Sequence, residues 1–499
     1  MKKIGLMACT GLLGFSTAFA TSSINTNPHL ALGSLVDNIL SPSLYQNPFM
    51  APNNFSESHA NSYQTDTVSI PGPDASASRK TQDALLNSPT LGSGTIAFDN
   101  QGRIVMLRVS VNLGIPIVPY DNNLLLIDPQ TLTVLDTAHL PNIAPFSTIS
   151  YFYVDNLNRV IVPTPTQNIY IYAINQNQYQ LANSYDLTGA LNAPIDVIAS
   201  VLPDNAGNLW FSSQLGTIGY INPTTGQIVV THLASSGGSA NERITKSMAT
   251  DEHGGVYIVS SVALYRFQAD TSGNPTSTWR TTYDRGTRIK SGQFQQGSGT
   301  TPTLFNDFEG NQFVTIADNS DPYMHVLVYN RETGALVAQQ AVFTKFPYAT
   351  SCENSLVAVN HSVIIENNYG STGSGLVTTS GDLTSIPGIA RVDFNPNSGE
   401  AETVWTNYDI SIPSAITRLS TANGLLYTFA KDAKSWYFAT LDFHRGKVTE
   451  KVRIATTGVL AGSLANNFFS GAGIGFDGSA YIPTIGGMTV WRASHNDAA

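Results

Sequence analysis

Short apolar runs of four to eight residues, separated by clusters of Asp, Asn, Gly and Pro, recur along this chain from Gly92 almost to its end. Runs of that length bounded by turn residues predict strands, with no amphipathic period long enough for helices. One unit repeats: an apolar strand, a tight turn, and a second apolar strand. The turns are Asp99-Asn100-Gln101-Gly102, Asp155-Asn156-Leu157-Asn158, Asp204-Asn205-Ala206-Gly207, Asp251-Glu252-His253-Gly254, Asp307-Phe308-Glu309-Gly310, Asn360-His361, Asn423-Gly424 and Asp477-Gly478. Measured from the first residue of each, the spacings are 56, 49, 47, 56, 53, 63 and 54.

A second turn follows in most copies, as in Asn222-Pro223-Thr224-Thr225-Gly226, Asn330-Arg331-Glu332-Thr333-Gly334 and Asn395-Pro396-Asn397-Ser398-Gly399. Asn starts such a turn, Pro fixes the next φ, and Gly takes the left-handed position. Each copy therefore has four strands, A to D, and four-stranded units at this period are propeller blades. The pattern predicts an all-β, eight-bladed β-propeller over residues 91–499. Seven blades are the alternative, because the second copy's C–D turn lacks Pro and Gly and the sixth has a very long B–C connection. The last copy has strands A to C only, and residues 65–70 are the expected donor of the missing strand that closes the ring.

Residues 21–90 are rich in Asn, Ser and Pro and predict an irregular surface arm, with a faintly helical patch at 29–40. Residues 1–20 read as a signal peptide: Lys2 and Lys3, an apolar run from Ile4 to Phe15, and Ala18-Phe19-Ala20 as the cleavage pattern. The expected product is exported, periplasmic or extracellular, and without a membrane span. Loss of two lysines takes the formal charge from −10 to −12. That balance argues against nucleic acid, whose phosphates need a positive surface. Cys352 is left alone once Cys9 departs, so no internal disulfide is expected.

The Asp-x-x-Gly turn followed by an apolar strand, with Asn-Pro-x-Thr-Gly later in the unit, resembles the quinoprotein-like eight-bladed propellers over almost all of residues 92–492. The resemblance implies the fold. A quinone-dependent dehydrogenase of that family would carry Trp after the Thr-Gly corner and adjacent cysteines. Here Gln227 follows Gly226, Ala335 follows Gly334, and Cys352 has no neighbouring Cys, so the pattern counts against pyrroloquinoline quinone.

In such a fold the A–B and C–D turns share one face. The long, varied connections at 110–123, 235–246, 283–300, 317–324, 344–354, 367–387 and 456–471 share the other, where function concentrates. Acids and amides gather there in three segments: Asp318, Asn319 and Asp321; Glu353 and Asn354; Glu366, Asn367, Asn368 and Tyr369. They are expected to meet beside the axis on two adjacent blades. One reading makes Asp318, Asn319, Asp321, Asn354, Asn368, Tyr369 and Arg418 contacts for a small polar molecule, peptide or glycan, in a monomeric, non-catalytic binding protein. A second makes Asp318, Glu353, Asn354, Glu366 and Asn367 ligands of calcium, with Glu353 and Glu366 catalytic. This second set is similar in residue type to calcium-dependent propeller lactonases, which implies a lactonase or esterase. A third has these residues capping strand ends. Arg243, Lys246, Arg288, Lys290 and Arg418 sit in or beside connections on the same face and read as solvated surface charge, with a grip on an anionic ligand or an offset to the local acidity as the alternative.

Overall fold

The computed structural model describes residues 45–53, 55–76, 81–85, 90–112, 118–141, 151–371, 385–432, 435–454, 465–467 and 469–493. The expected signal peptide, the patch at 29–40 and much of the connections at 367–387 and 456–471 lie outside them.

The repeating aspartate explains itself in the turns. Asp99, Asp155, Asp204, Asp251 and Asp307 each accept, on one carboxylate oxygen, the backbone N–H groups two and four residues further on, at 2.6–3.0 Å. Asn222, Asn330 and Asn395 do the same for N–H groups two and three residues on in C–D turns. These side chains satisfy donors that a tight turn leaves unpaired. The second blade's C–D turn manages without Pro or Gly because Gln176 and Asn177 both take positive φ, the form of a two-residue hairpin whose twist matches its strands.

The described strands form eight sheets. Their A strands are Thr90–Phe98, Tyr153–Val154, Ile198–Pro203, Ala249–Thr250, Thr303–Asn306, Val357–Val359, Arg418–Ser420 and Gly473–Ile474, each lying toward the axis. The only helical element among the described residues is a 3-10 turn at Leu233–Ser236, and no helix is long and apolar enough to cross a membrane. Buried aliphatic and aromatic side chains fill the spaces between the sheets. Tryptophans on outer strands lock neighbouring blades. Trp279 donates to the carbonyl of Arg331 (3.0 Å) and lies on Gly334, and Trp405 donates to that of Phe443 (2.9 Å) and lies on Gly446.

An N-terminal strand does close the ring, but it is Thr81–Leu85, antiparallel to Gly487–Trp491, and not residues 65–70. Thr67–Val68 instead runs parallel to Leu419–Ser420 as a fifth, innermost strand of blade seven. The expectation of a surface arm is corrected with it. Residues 55–68 lie inside the channel, nearly all of them buried. Their carbonyls accept N–H groups from the A strands of six blades: Phe98 to Phe55, Val154 to Ser56, Thr250 to Ser62, Leu304 to Tyr63, Ala358 to Thr65 and Leu419 to Asp66, at 2.8–3.2 Å. Blade three joins through the Asn47 side-chain amide, which donates to the carbonyl of Pro203 (2.9 Å). The inner edge of a propeller blade is an unpaired strand edge, and here the chain's own segment pairs it. Low apolar content marked the segment as a surface arm because backbone donors inside the channel are invisible in sequence.

Candidate functional site

The three acid- and amide-rich segments meet at one end of the ring, tied together by the connection at 283–300. Asn319 donates through its backbone N–H to the carbonyl of Asp284 and through its side chain to those of Arg285 and Arg288. Ser351 donates to the carbonyl of Ser291, and Gly292 and Gly299 abut Asn368 and Glu353. Tyr348 N–H reaches the carbonyl of Pro322 (2.7 Å), and Asn368 N–H that of Ser351 (2.8 Å).

Most of these side chains serve backbone groups. Asn367 Oδ1 accepts the N–H groups of Ser351 (3.2 Å) and Tyr369 (3.1 Å), while Asn368 Oδ1 accepts that of Glu353 (2.8 Å). Asp318 binds the half-buried His325 Nδ1 at 2.9 Å and accepts its backbone N–H. That hydrogen bond to Asp318 raises the imidazole above its ordinary pKa, against its partial burial. Asp321 pairs with Lys290 at 3.2 Å. Tyr369 is partly exposed.

Glu353 and Glu366 are enclosed. Glu353 holds Lys246 at 2.5 Å, with both side chains buried. Burial pushes the Glu353 carboxyl above its usual range and Lys246 pulls it back in part. Glu353 in turn keeps the Lys246 ammonium above its ordinary value against the effect of burial. Glu366 accepts the Thr417 N–H (2.7 Å) and an Asn354 amide N–H (3.2 Å), and Asn354 also donates to the carbonyl of Ala415 (2.7 Å). Burial lifts the Glu366 carboxyl to about 7. Cys352 is buried, and burial pushes its thiol up, so it is held as an inert thiol.

Arg418, Lys246 and Lys290 are buried, which corrects their reading as surface charge. Arg418 pairs with Asp66 of the channel segment, donates to the carbonyls of Ser58 and Ala472, and lies over the Phe55 ring. Beside it, His59 Nδ1 meets Ser355 Oγ at 2.7 Å and Asp66 at 3.4 Å. Burial pulls the His59 imidazole down to about 4. Sequence reasoning missed Glu57, His59 and Asp66, since nothing in their spacing tells that the arm enters the channel. Serine, histidine and aspartate are in contact twice, here and at Ser320, His325 and Asp318. In both places the hydroxyl and the carboxylate approach the same imidazole nitrogen. A nucleophile–base–orienter chain needs them on opposite nitrogens, so neither set is a triad.

Asp318 serves His325, Glu366 serves Thr417 and Asn354, Asn367 serves the N–H groups of Ser351 and Tyr369, and one Glu353 oxygen serves Lys246, while the other Glu353 oxygen and Asn354 Oδ1 make no hydrogen bond among the described residues. No three His, Cys, Asp or Glu side chains of this face, among the described residues, bring ligand atoms within 4.8 Å of one another. The three carboxylates of the calcium set therefore do not converge on one point as ligands of a single calcium ion must.

On the opposite face lies a cleft of about 360 Å³ between blades two and three. Phe49 of the N-terminal segment, packed on Gly207, forms one wall, and Tyr185, Arg159, Asn183, Asn208 and Asn222 form much of the rest.

No protein-family model matches this chain. An uncharacterized protein of Archaeoglobus fulgidus is 26% identical over 365 residues, covering 68% of this chain and 67% of its own. Among solved structures, the quinohemoprotein alcohol dehydrogenase of Comamonas testosteroni superposes with a TM-score of 0.55 at 11% identity, covering 93% of this chain and 84% of its own. The quinohemoprotein alcohol dehydrogenase ADHIIG of Pseudomonas putida HK5 gives 0.52 at 10%, covering 87% and 75%. The Dos1 propeller gives 0.52 at 10%, covering 83% and 94%. At such identities the likeness is one of fold. A quinone does not fit the residues present: residues 55–68 fill the channel, and Cys352 is the single cysteine among the described residues. The chain has the eight-bladed, quinoprotein-like propeller fold, with its channel occupied by its own N-terminal segment.

Proposed function

We propose that the protein is an exported, non-catalytic binding propeller that takes a small polar ligand of the saccharide or short-peptide class. The cleft between blades two and three carries this reading. Its volume falls in the range of small-molecule sites, which are about 300–1,000 Å³. Asn183 and Asn222 spend their carbonyl oxygens on backbone N–H groups of Ser184 and of Thr224 and Thr225. That leaves their amide N–H groups as the donors these two residues can offer at the cleft. Asp155 holds Arg159 at 2.7 Å on one edge, and Tyr185 and Phe49 supply aromatic surface. Donors beside aromatic rings suit hydroxyl-rich or amide-rich ligands. The carboxylates Glu353 and Glu366 of the opposite face are themselves buried. Calorimetric titration with a panel of mono- and disaccharides and short peptides tests the reading. Saturable binding weakened by Tyr185→Ala and Asn222→Ala is expected. Binding that survives both substitutions, or none across the panel, rules out this cleft.

A further inference from the structure

The A–B turn of blade five differs from its counterparts in what balances its aspartate. In blades one, two, four and eight a guanidinium stands beside the turn carboxylate: Arg103 at 2.5 Å from Asp99, Arg159 at 2.7 Å from Asp155, Arg266 at 3.8 Å from Asp251 and Arg492 at 3.5 Å from Asp477. In blade three the second oxygen of Asp204 accepts N–H groups from Asn208 and Trp210, both at 2.9 Å. In blade five the second oxygen of Asp307 accepts one amide, from Asn311 at 2.8 Å, and the cationic place is taken by His361 of the next blade's turn. His361 Nε2 stands 4.0 Å from Asp307 Oδ2 and 3.5 Å from Glu309 Oε2.

Those separations are long for hydrogen bonds, but they resemble the edges of a coordination polyhedron. Ligand atoms about 2.0 Å from a tetrahedral zinc ion lie roughly 3.3 Å apart. One ligand atom from each of the three residues falls within 4.8 Å of the others, so a shared ion asks the ligand atoms to draw together by up to about 1.5 Å, within reach of side-chain torsions. The supporting groups are in place. Two backbone N–H groups fix the Asp307 carboxylate on its other oxygen. The His361 ring is held between Phe308 at 5.2 Å and Phe394 at 5.7 Å. Outer groups of this kind orient ligands before an ion arrives.

We propose that Asp307, Glu309 and His361 form a three-ligand site for a divalent transition ion of the zinc class, joining the A–B turns of blades five and six. One imidazole with two carboxylates suits such an ion better than calcium, which prefers an all-oxygen shell of six to eight ligands. Glu309 is exposed, so a fourth position opens to solvent and can hold water or a donor from a ligand.

Zinc titration by calorimetry on the untagged full chain tests it, with Co²⁺ absorption as the geometric readout. Asp307→Asn is avoided because it loosens the turn, and the probes are His361→Ala and Glu309→Gln. The expected result is one equivalent of zinc, a tetrahedral Co²⁺ band in the visible, and a loss of affinity of roughly tenfold or more in each variant. A melting rise with zinc in the wild type, absent in His361→Ala, would accompany it. No saturable zinc binding, or binding that neither substitution weakens, overturns the proposal.

Discussion

Replacing Glu366 by Gln isolates one buried charge, and its effect can be worked from the structure. The carboxyl lies in the interior with its pKa lifted by burial from 4.5 to about 7, a gap worth about 3.4 kcal/mol at about 1.4 kcal/mol per pH unit. The folded pKa is the higher one, so this stabilising contribution is fully present below the unfolded value and is lost as pH rises through about 7. Between pH 5 and pH 8 the loss amounts to ~2.5 kcal/mol. His59 works in the opposite direction. Its pKa falls from 6.5 to about 4 on burial, so its contribution is present above the unfolded value and lost as pH falls, by ~2 kcal/mol over the same interval. The two nearly cancel in the wild type. Urea unfolding at both pH values, on wild type and Glu366→Gln, reads the difference. The variant should gain ~2.5 kcal/mol on the wild type between pH 5 and pH 8. Parallel pH profiles for the two proteins would refute the buried-carboxyl argument.

Three further outcomes follow from the same physics. Arg418→Met and Asp66→Asn should each cost about 3–5 kcal/mol, because either leaves a buried charge or dipole uncompensated. The double variant should cost clearly less than their sum, and additivity in the unfolding measurements would mean that the channel segment is not locked to blade seven by this pair. Gly446 combines a φ of 64° with the Trp405 ring 2.4 Å from where a Cβ would sit. Gly446→Ala should therefore destabilise by roughly 2–4 kcal/mol, and an unchanged melt would remove the tryptophan lock from the account. Proton NMR titration of His325 should show its raised pKa falling in Asp318→Asn. In the wild type the stability this pair adds is present below the unfolded histidine pKa and is lost as pH rises through the folded one. A His325 titration that does not move breaks the assignment.

The sequence by itself determined the blades. Asp99, Asp155, Asp204, Asp251 and Asp307 mark them because each turn needs an acceptor for its own nearby N–H groups, a requirement met within five residues and so written locally. The count of eight and the common face of segments 318–321, 351–354 and 366–369 follow from that period. What those side chains do was decided elsewhere. Asn367 and Asn368 spend their oxygens on the backbone N–H groups of Ser351, Tyr369 and Glu353, and Glu353 spends one on Lys246, 107 residues away. Residues 55–68 illustrate the limit most clearly. Their few apolar side chains point to a surface arm, yet six blades offer inner-edge N–H groups to their carbonyls. Backbone hydrogen bonding carries almost no side-chain signature, so only the closed ring could show that the channel was waiting for a strand. Ring closure by Thr81–Leu85 in place of residues 65–70 has the same cause. Once Thr67–Val68 is taken up at the inner edge of blade seven, the next stretch of extended chain is the one left to complete blade eight.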